Sequence, residues 1–484
     1  MRLCASTGKT IALRQVLPDA QVVGATEVSL TRCRCHPRDV RPGDLFVVLH
    51  PPGARRDAAL QQALTRGCAA VLADHPLEGL PVPVIYVRNA REAFGRISHA
   101  MADYPARKLH VIGVTGAYGK TTTACLLTRV LVEAGFNTGM LTTLGYFEGE
   151  ESAFPRETTP PADELALSLA RMVNNHCTHA VVEVTGKAIR EQYLAGMELD
   201  VAVLVNTDVE AKARHPNSYF RVLEWLKPEG VAVVNADDPG CRGWLSGLAH
   251  PALTVGLQMP AEIKGYEISR QLGEEIFYLM AGGETFPVRT RMFGRHHILS
   301  CLAAAAVGLV YQIPLEVIVK ALESVDQIPG RLQPVLAGQP FSVFVDAAET
   351  AEAVRATLTT IRPLVSGRLI CVAHPPRRGQ GDIAGWVQTL EEFADLIVLT
   401  LPGVGEGHTN LLAAGARYLR DRHRAMLLPD RTEAIGWALT QAQPEDCILL
   451  LGNGHRLWRA TRDGDLIVDD YRFVRQWLQQ EYPA

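Results

Sequence analysis

Short continuous apolar runs recur along the chain, separated by longer stretches whose apolar positions fall at helical spacing. The runs are rich in valine and show no alternation, the pattern of strands buried on both faces of a parallel sheet. The first block, Met1 to about Arg107, holds DLFVVL (Asp44 to Leu49), AAVLAD (Ala69 to Asp74) and PVIYV (Pro83 to Val87), with a helix-like stretch from Asp57 to Arg66. This alternation predicts a small α/β domain over 1–107. A second block opens with HVIGVTG (His110 to Gly116) and continues through HAVVEV, DVAVLVN and GVAVVNADD. Its pattern shortens from Leu253 to Arg291, which predicts an antiparallel excursion, and a small-residue helix, His297 to Val310, closes it. IPGRLQPV (Ile328 to Val335) reads as a linker. Beyond it RLICVA, DLIVLT, AMLLP and DCILLLG alternate with helical segments. The fold class expected is therefore α/β in three domains: 1–107, a central P-loop ATPase-like parallel sheet over 108–333, and a Rossmann-like domain over 334–484.

Composition adds exclusions. At 484 residues, 47% hydrophobic and 21% charged, the chain has the balance of a globular protein of about three domains. A net charge of −4 gives no basic field for nucleic acid or an anionic membrane. No apolar stretch approaches the roughly 20 residues a membrane helix needs, and the N-terminus offers no signal-peptide core. The ten cysteines are scattered and read as idle thiols in a reducing, cytoplasmic compartment; Cys33, Cys35 and His36 lack an evident fourth ligand for zinc.

The segment GVTGAYGKTTTACLL follows a strand and precedes a helix, the context of a phosphate loop. Gly116 and Gly119 let backbone N–H groups approach phosphate oxygens, and the helix N-terminus adds partial positive charge. Lys120 would bridge the terminal phosphates of ATP, and the Thr121 hydroxyl, followed by Thr122, would ligate Mg²⁺. Glu183, ending HAVVEV, is the candidate acidic partner for that metal.

This loop, T-G-A-Y-G-K-T-T, is one residue off Walker spacing and resembles the T-G-x-N-G-K-T-T loop of the Mur ligase family. TTPPADEL (Thr158 to Leu165), VVNADDP, FGRHHILSCLAAAA, PGRLQPV, VFVDAAETAEAV and LLGNGHRLW fall in the family's order. The likeness is greatest to the ligases that add the third residue, diaminopimelate or lysine. The resemblance implies a cytoplasmic, monomeric enzyme that uses ATP and Mg²⁺ to join a UDP-N-acetylmuramyl-peptide carboxylate to an amino acid through an acyl phosphate. It assigns phosphate and metal roles to Lys120, Thr121 and Glu183, and muramyl-substrate contacts to Thr158 and Thr159. Arg331 would reach the phosphates and Asp346 would hold the ribose. His455 could orient the amino acid or be structural.

Several positions depart from the family pattern. Tyr118 replaces the loop's asparagine, Gly186 and Lys187 replace a serine and a histidine, and Leu223 replaces a lysine that is carbamylated and helps hold a second Mg²⁺. In the VNTDVEAKARH region Asn206 and His215 remain, while Glu210 and Ala211 stand for an aspartate–histidine pair. Lys227 belongs to a Lys-Pro-Glu-Gly segment expected to be the turn before the next strand. LPGVG (Leu401 to Gly405) stands where the diaminopimelate motif D-N-P-R belongs, GNGHR replaces G-K-G-H-E, and Ala347, Glu349 and His297 replace family residues. His374, with Arg377 and Arg378, suggests either an anion site or an exposed basic loop. Tyr471, Phe473 and Trp477 read as the packing face of a last helix. Two readings follow: an ATP-dependent carbon–nitrogen ligase with a rebuilt site, or a non-catalytic nucleotide-binding homologue with a scaffolding or regulatory role.

Overall fold

A computed structural model describes the chain except residues 5–9, 25–28, 151, 154, 156, 208–218, 377–381, 404–408, 460–466 and 483–484. It forms two compact units, Met1–Val255 with Ala303–Ile313, and Gly256–Leu302 with Pro314–Ala484.

The first unit begins with a five-stranded sheet. Its strands are β1 (Gln21–Val23), β2 (Cys33–Arg34), β3 (Leu45–Val47), β4 (Ala70–Ala73) and β5 (Val84–Tyr86), in the order β1-β5-β4-β3-β2. Successive residues of β3 and β4 serve opposite cores. Leu45, Val47, Ala70 and Leu72 pack with Phe94 and Ile97 of helix α2 (Ala90–Met101). Phe46 and Val71 pack with Leu60 and Ala63 of α1 (Ala54–Thr65). Burial on both faces explains the unbroken apolar runs, each full burial contributing about 1.5–3 kcal/mol. The Asn89 side chain caps α2 by accepting from the Arg91 and Glu92 amides. A separate three-stranded sheet, Arg2–Cys4 between Thr10–Ala12 and Ser29–Leu30, was not legible from the pattern.

The same unit holds a larger sheet. It contains β6 (His110–Thr115), β7 (Thr138–Thr142), β8 (Gly145–Phe147), β9 (His179–Val184), β10 (Leu199–Leu204), β11 (Leu226–Asn235) and β12 (Ala252–Gly256). Their order is β8-β7-β9-β6-β10-β11-β12, parallel from β7 to β12. The chain leaves β6 toward β7 and β9 on one side and returns to β10 on the other, so the crevice beyond β6 is a topological switch point. Two expectations change here. The antiparallel excursion begins after β12, which pairs in parallel with β11, Ala252 opposite Ala232. Lys227–Gly230 is not a turn before a strand but lies inside β11 as a bulge, because Leu226 pairs Leu199 while Val231 pairs Val201. Lys227 is held there by Asp200 at 2.7 Å.

The second unit carries an antiparallel meander, β13 (Ile263–Gln271), β14 (Glu274–Ala281) and β15 (Glu284–Thr290). Helix α3 (Arg295–Val310) follows it in the chain, its residues from Ala303 on counting with the first unit; Cys301 to Val307 are apolar and buried on every side. A second doubly wound sheet is built from β16 (Gln333–Pro334), β17 (Ser342–Asp346), β18 (Leu369–Ala373), β19 (Leu396–Leu399), β20 (Ala425–Leu427) and β21 (Cys447–Leu451). Its order is β16-β17-β21-β18-β19-β20, parallel except for β16. Tyr471, Phe473 and Trp477 of the last helix, α4 (Asp470–Glu481), pack against the core under this sheet.

Among the described residues four buried histidines are held neutral. Burial lowers His99 and His179 to about 4, His297 to about 3 and His374 to about 4. Both ring nitrogens of the fully buried His99 lack a partner. A depressed histidine pKa means the unfolded chain binds the extra proton first. The associated stability is therefore complete above pH 6.5 and is lost as pH falls toward 4. Denaturant titration of the first unit's transition should show His99 alone removing about 2 kcal/mol between pH 7 and pH 5. His99→Leu should abolish that share of the loss; an unchanged pH dependence would show that His99 is not buried neutral.

Candidate functional site

Strand β6 ends at Thr115, whose hydroxyl donates to the Val184 carbonyl of β9 at 2.9 Å. The chain then turns through Gly116, at φ +148°, where a Cβ would sit 3.0 Å from the Asn206 carbonyl oxygen, so only glycine fits without a shift. Asn206 stands just beyond β10 and grips the loop: its Oδ1 accepts from the Ala117 and Tyr118 amides at 2.8 and 3.1 Å, and its Nδ2 donates to the Tyr118 carbonyl at 3.0 Å. Gly119, at φ +79°, opens the helix Lys120–Glu133. The Lys120 ammonium donates to the Gly116 and Ala117 carbonyls at 2.8 and 3.1 Å. The Thr121 hydroxyl lies 3.0 Å from both carboxylate oxygens of Glu183, and the Thr143 amide donates to one of them at 3.1 Å. Glu183 is buried at the end of β9, and Thr122 is buried one residue beyond Thr121.

The segment around Thr159 is tied to the same strand end. Its hydroxyl donates to the Glu183 carbonyl at 2.7 Å and accepts from the Thr185 amide at 2.9 Å. Half-buried Thr158 precedes it. Lys187 pairs with Glu157 at 2.6 Å and lies 5.9 Å from the Tyr193 ring centroid. Lys120, Thr121, Glu183 and Thr159 are thus gathered at one end of the sheet. Leu223 packs against the hydrophobic core, a use of that position no metal ligand could share. Glu210, Ala211 and His215 lie outside the described residues. The sequence pattern marks Asn206 only as a retained residue; its position one strand over from the phosphate strand is the signal for its clamping role.

In the second unit Arg331, Asp346 and His455 are brought together. Asp346, ending β17, accepts from the Leu332 and Ala348 amides at 2.7 and 2.8 Å and from the Thr357 hydroxyl at 3.3 Å. Arg331 donates to the Gly330 carbonyl at 2.9 Å, and the same oxygen accepts from the Ala347 amide at 2.9 Å. A Cβ on Gly330, at φ +65°, would fall 2.5 Å from the His455 backbone nitrogen, so the linker touches the loop after β21. Asn453 is buried and donates to the Pro402 carbonyl at 2.9 Å. His374 is buried and its Nδ1 donates to the Pro375 carbonyl, at 3.0 Å; desolvation, then the nearby Arg431 charge, keep it neutral. Arg377 and Arg378 lie outside the described residues. His297 is buried against Thr290 and Cys301 at 3.4 and 3.5 Å.

Asn206→Ala deletes the acceptor of two loop amides. Hydrogen exchange at Ala117 and Tyr118 should accelerate at least about tenfold with little change in global melting temperature. Unchanged protection would show that the clamp does not order the loop.

The sequence profile of the Mur ligase middle domain matches residues 114–308, and that of the Mur ligase glutamate ligase domain matches residues 330–454. A UDP-N-acetylmuramyl-tripeptide synthetase of Roseiflexus sp. (strain RS-1) is 33% identical over 455 residues, covering 86% of this chain and 88% of its own. The solved structure of a UDP-N-acetylmuramoyl-L-alanyl-D-glutamate–2,6-diaminopimelate ligase superposes with a TM-score of 0.66 at 21% identity, over 98% of this chain and 100% of that one. The MurF ligase from Thermotoga maritima in complex with ADP gives a TM-score of 0.62 at 19% identity, over 93% and 97% of the two chains. With both domain profiles, a 33% identical relative matched over most of either chain and the fold in agreement, this chain belongs to the Mur ligase family.

Proposed function

We propose that this chain is an ATP-dependent ligase that joins the carboxylate of a UDP-N-acetylmuramyl peptide to an amino acid, a step of peptidoglycan precursor synthesis. The observation that carries the reading is the meeting of Lys120, Thr121 and Glu183 on a clamped phosphate loop, in a chain of this family. The domain boundaries we assign are 1–107, 108–333 and 334–484, with the sugar nucleotide on the first, ATP on the second and the amine on the third.

Gly116, Gly119 and the helix N-terminus beyond them receive the phosphates of ATP, and Lys120 leaves its own loop carbonyls to pair with the terminal phosphates. Glu183 and the Thr121 hydroxyl are hard oxygen donors of the kind Mg²⁺ takes. Mg²⁺, when bound, supplies neutralisation of charge on the transferring phosphoryl group. Thr158 and Thr159 position the muramyl peptide beside Glu183. A carboxylate oxygen of the peptide attacks the γ-phosphorus, the bond to ADP breaks, and an acyl phosphate forms. The amine nitrogen then attacks the acyl carbon, loses its proton, and phosphate departs with the amide made. Positioning and charge stabilisation supply the acceleration. Arg331 adds charge toward the phosphates, Asp346 positions the ribose and His455 orients the amine. Among the described residues no helix is long and apolar enough to cross a membrane. A cytoplasmic monomer without nucleic-acid partners is the setting we assign.

Phosphate release from Mg²⁺-ATP and UDP-N-acetylmuramyl-dipeptide, across a panel of amino acids, tests the reading. Release should need the sugar nucleotide and an amine together. Lys120→Ala and Glu183→Gln should each lower it by about 10²-fold or more. Nucleotide binding without amine-dependent release from the unaltered protein would sink the ligase assignment in favour of a non-catalytic scaffold.

A further inference from the structure

The two-residue connection between β7 and β8, Thr143 and Leu144, stands beside the Glu183 carboxylate. Leu141 of β7 pairs Val182 of β9, so the end of β7 comes level with Glu183. Glu183 is 3% exposed, and a charge buried so deeply needs donors to hold it. Its donors among the described residues are the Thr121 hydroxyl, 3.0 Å from both oxygens, and the Thr143 amide, 3.1 Å from Oε2. Oε2 thus faces two donors and Oε1 one, which leaves Oε1 the oxygen with room for a cation. A donor can fix the carboxylate only if it is itself fixed. Two-residue hairpins ordinarily place a central residue at positive φ, which matches the twist of the strands. Neither Thr143 nor Leu144 does so. The Thr142 hydroxyl supplies the missing restraint: it accepts from the Leu144 amide at 3.2 Å and donates to the Gly145 carbonyl at 3.4 Å. Thr142 is fully buried, so water does not compete for those bonds.

We infer that Thr142 is a positioning residue for the metal-binding carboxylate, acting on Glu183 through the Thr143 amide. The inference rests on the ligase reading, in which Glu183 and Thr121 hold Mg²⁺, and adds the element that aims Glu183 before the cation arrives. The Thr142 hydroxyl itself is engaged inside the turn. Removing it frees the Leu144 amide, lets the turn relax, and swings the Thr143 N–H off Oε2. Glu183 then keeps Thr121 alone, and its carboxylate can rotate out of the orientation a metal needs. A carboxylate that must be ordered on binding holds its cation more weakly.

Mn²⁺ serves as the probe, because its binding to the full chain with ADP is read by electron paramagnetic resonance without turnover. Thr142→Val and Thr142→Ala should each weaken Mn²⁺ binding about tenfold, with ADP affinity in the absence of metal unchanged. Thr142→Ser, which keeps the hydroxyl, should stay within about twofold of the unaltered chain. Amide exchange in the nucleotide-free chain reads the linkage itself. Glu183→Ala should accelerate exchange at Thr143 at least about tenfold and leave Leu144 protected, whereas Thr142→Val should accelerate both. Three results each overturn the inference and leave the ligase reading standing: valine and alanine variants that bind Mn²⁺ as tightly as the unaltered chain, a serine variant as weak as they are, or a Thr143 amide indifferent to Glu183→Ala. An unaltered chain that takes no Mn²⁺ with ADP is a different result, and overturns the metal site on which both rest.

Discussion

Strand β6 is paired in parallel on both sides, with Thr115 opposite Val184 of β9 and Leu204 of β10, and the site depends on that register. The pairing brings three strand ends level. The phosphate loop leaves the middle one, Glu183 ends one neighbour, and Asn206 follows the other. A slip of one residue would turn Glu183 to the opposite face of the sheet and part it from Thr121. The Asn206 side chain then acts as a substitute for one more backbone pairing, holding Ala117 and Tyr118 after the sheet has stopped. The positive end of the following helix is thus aimed before any ligand arrives, so less ordering is left to binding.

Much of this was legible in the sequence, for physical reasons that can be named. Continuous apolar runs such as HAVVEV and CILLL lie buried on both faces, and the strands fall where those runs are. The phosphate loop was legible because glycine, lysine and threonine are each required there by backbone geometry or charge. Where strands are two or three residues long, as in Arg2–Cys4 and Ser29–Leu30, alternation has no length in which to show itself. The bulge at Lys227–Gly230 was misread because Pro and Gly mark a turn and a bulge alike. The parallel pairing of β12 with β11 is a long-range choice that its local pattern does not carry.

The departures from the family pattern separate into kinds once side chains are placed. Leu223 has been absorbed into the core, and His297 has turned inward onto Thr290 and Cys301, so both positions now serve packing. Lys187 and Arg456 instead keep their charges partly in solvent and are held by Glu157 and Glu349. A solvent-facing pair such as Lys187–Glu157 adds little stability. The loop scaffold is retained while charges elsewhere differ from the family pattern.

The central claim is that phosphate from ATP passes through an acyl phosphate on the peptide carboxylate. It is tested most directly by labelling that carboxylate with ¹⁸O and analysing the phosphate released in the presence of an accepted amine. The account predicts one ¹⁸O atom in each phosphate, because the attacking oxygen leaves with phosphorus when the amide forms. Unlabelled phosphate from a reaction that still needs the peptide would contradict it, and would mean that water, not the carboxylate, takes the phosphoryl group.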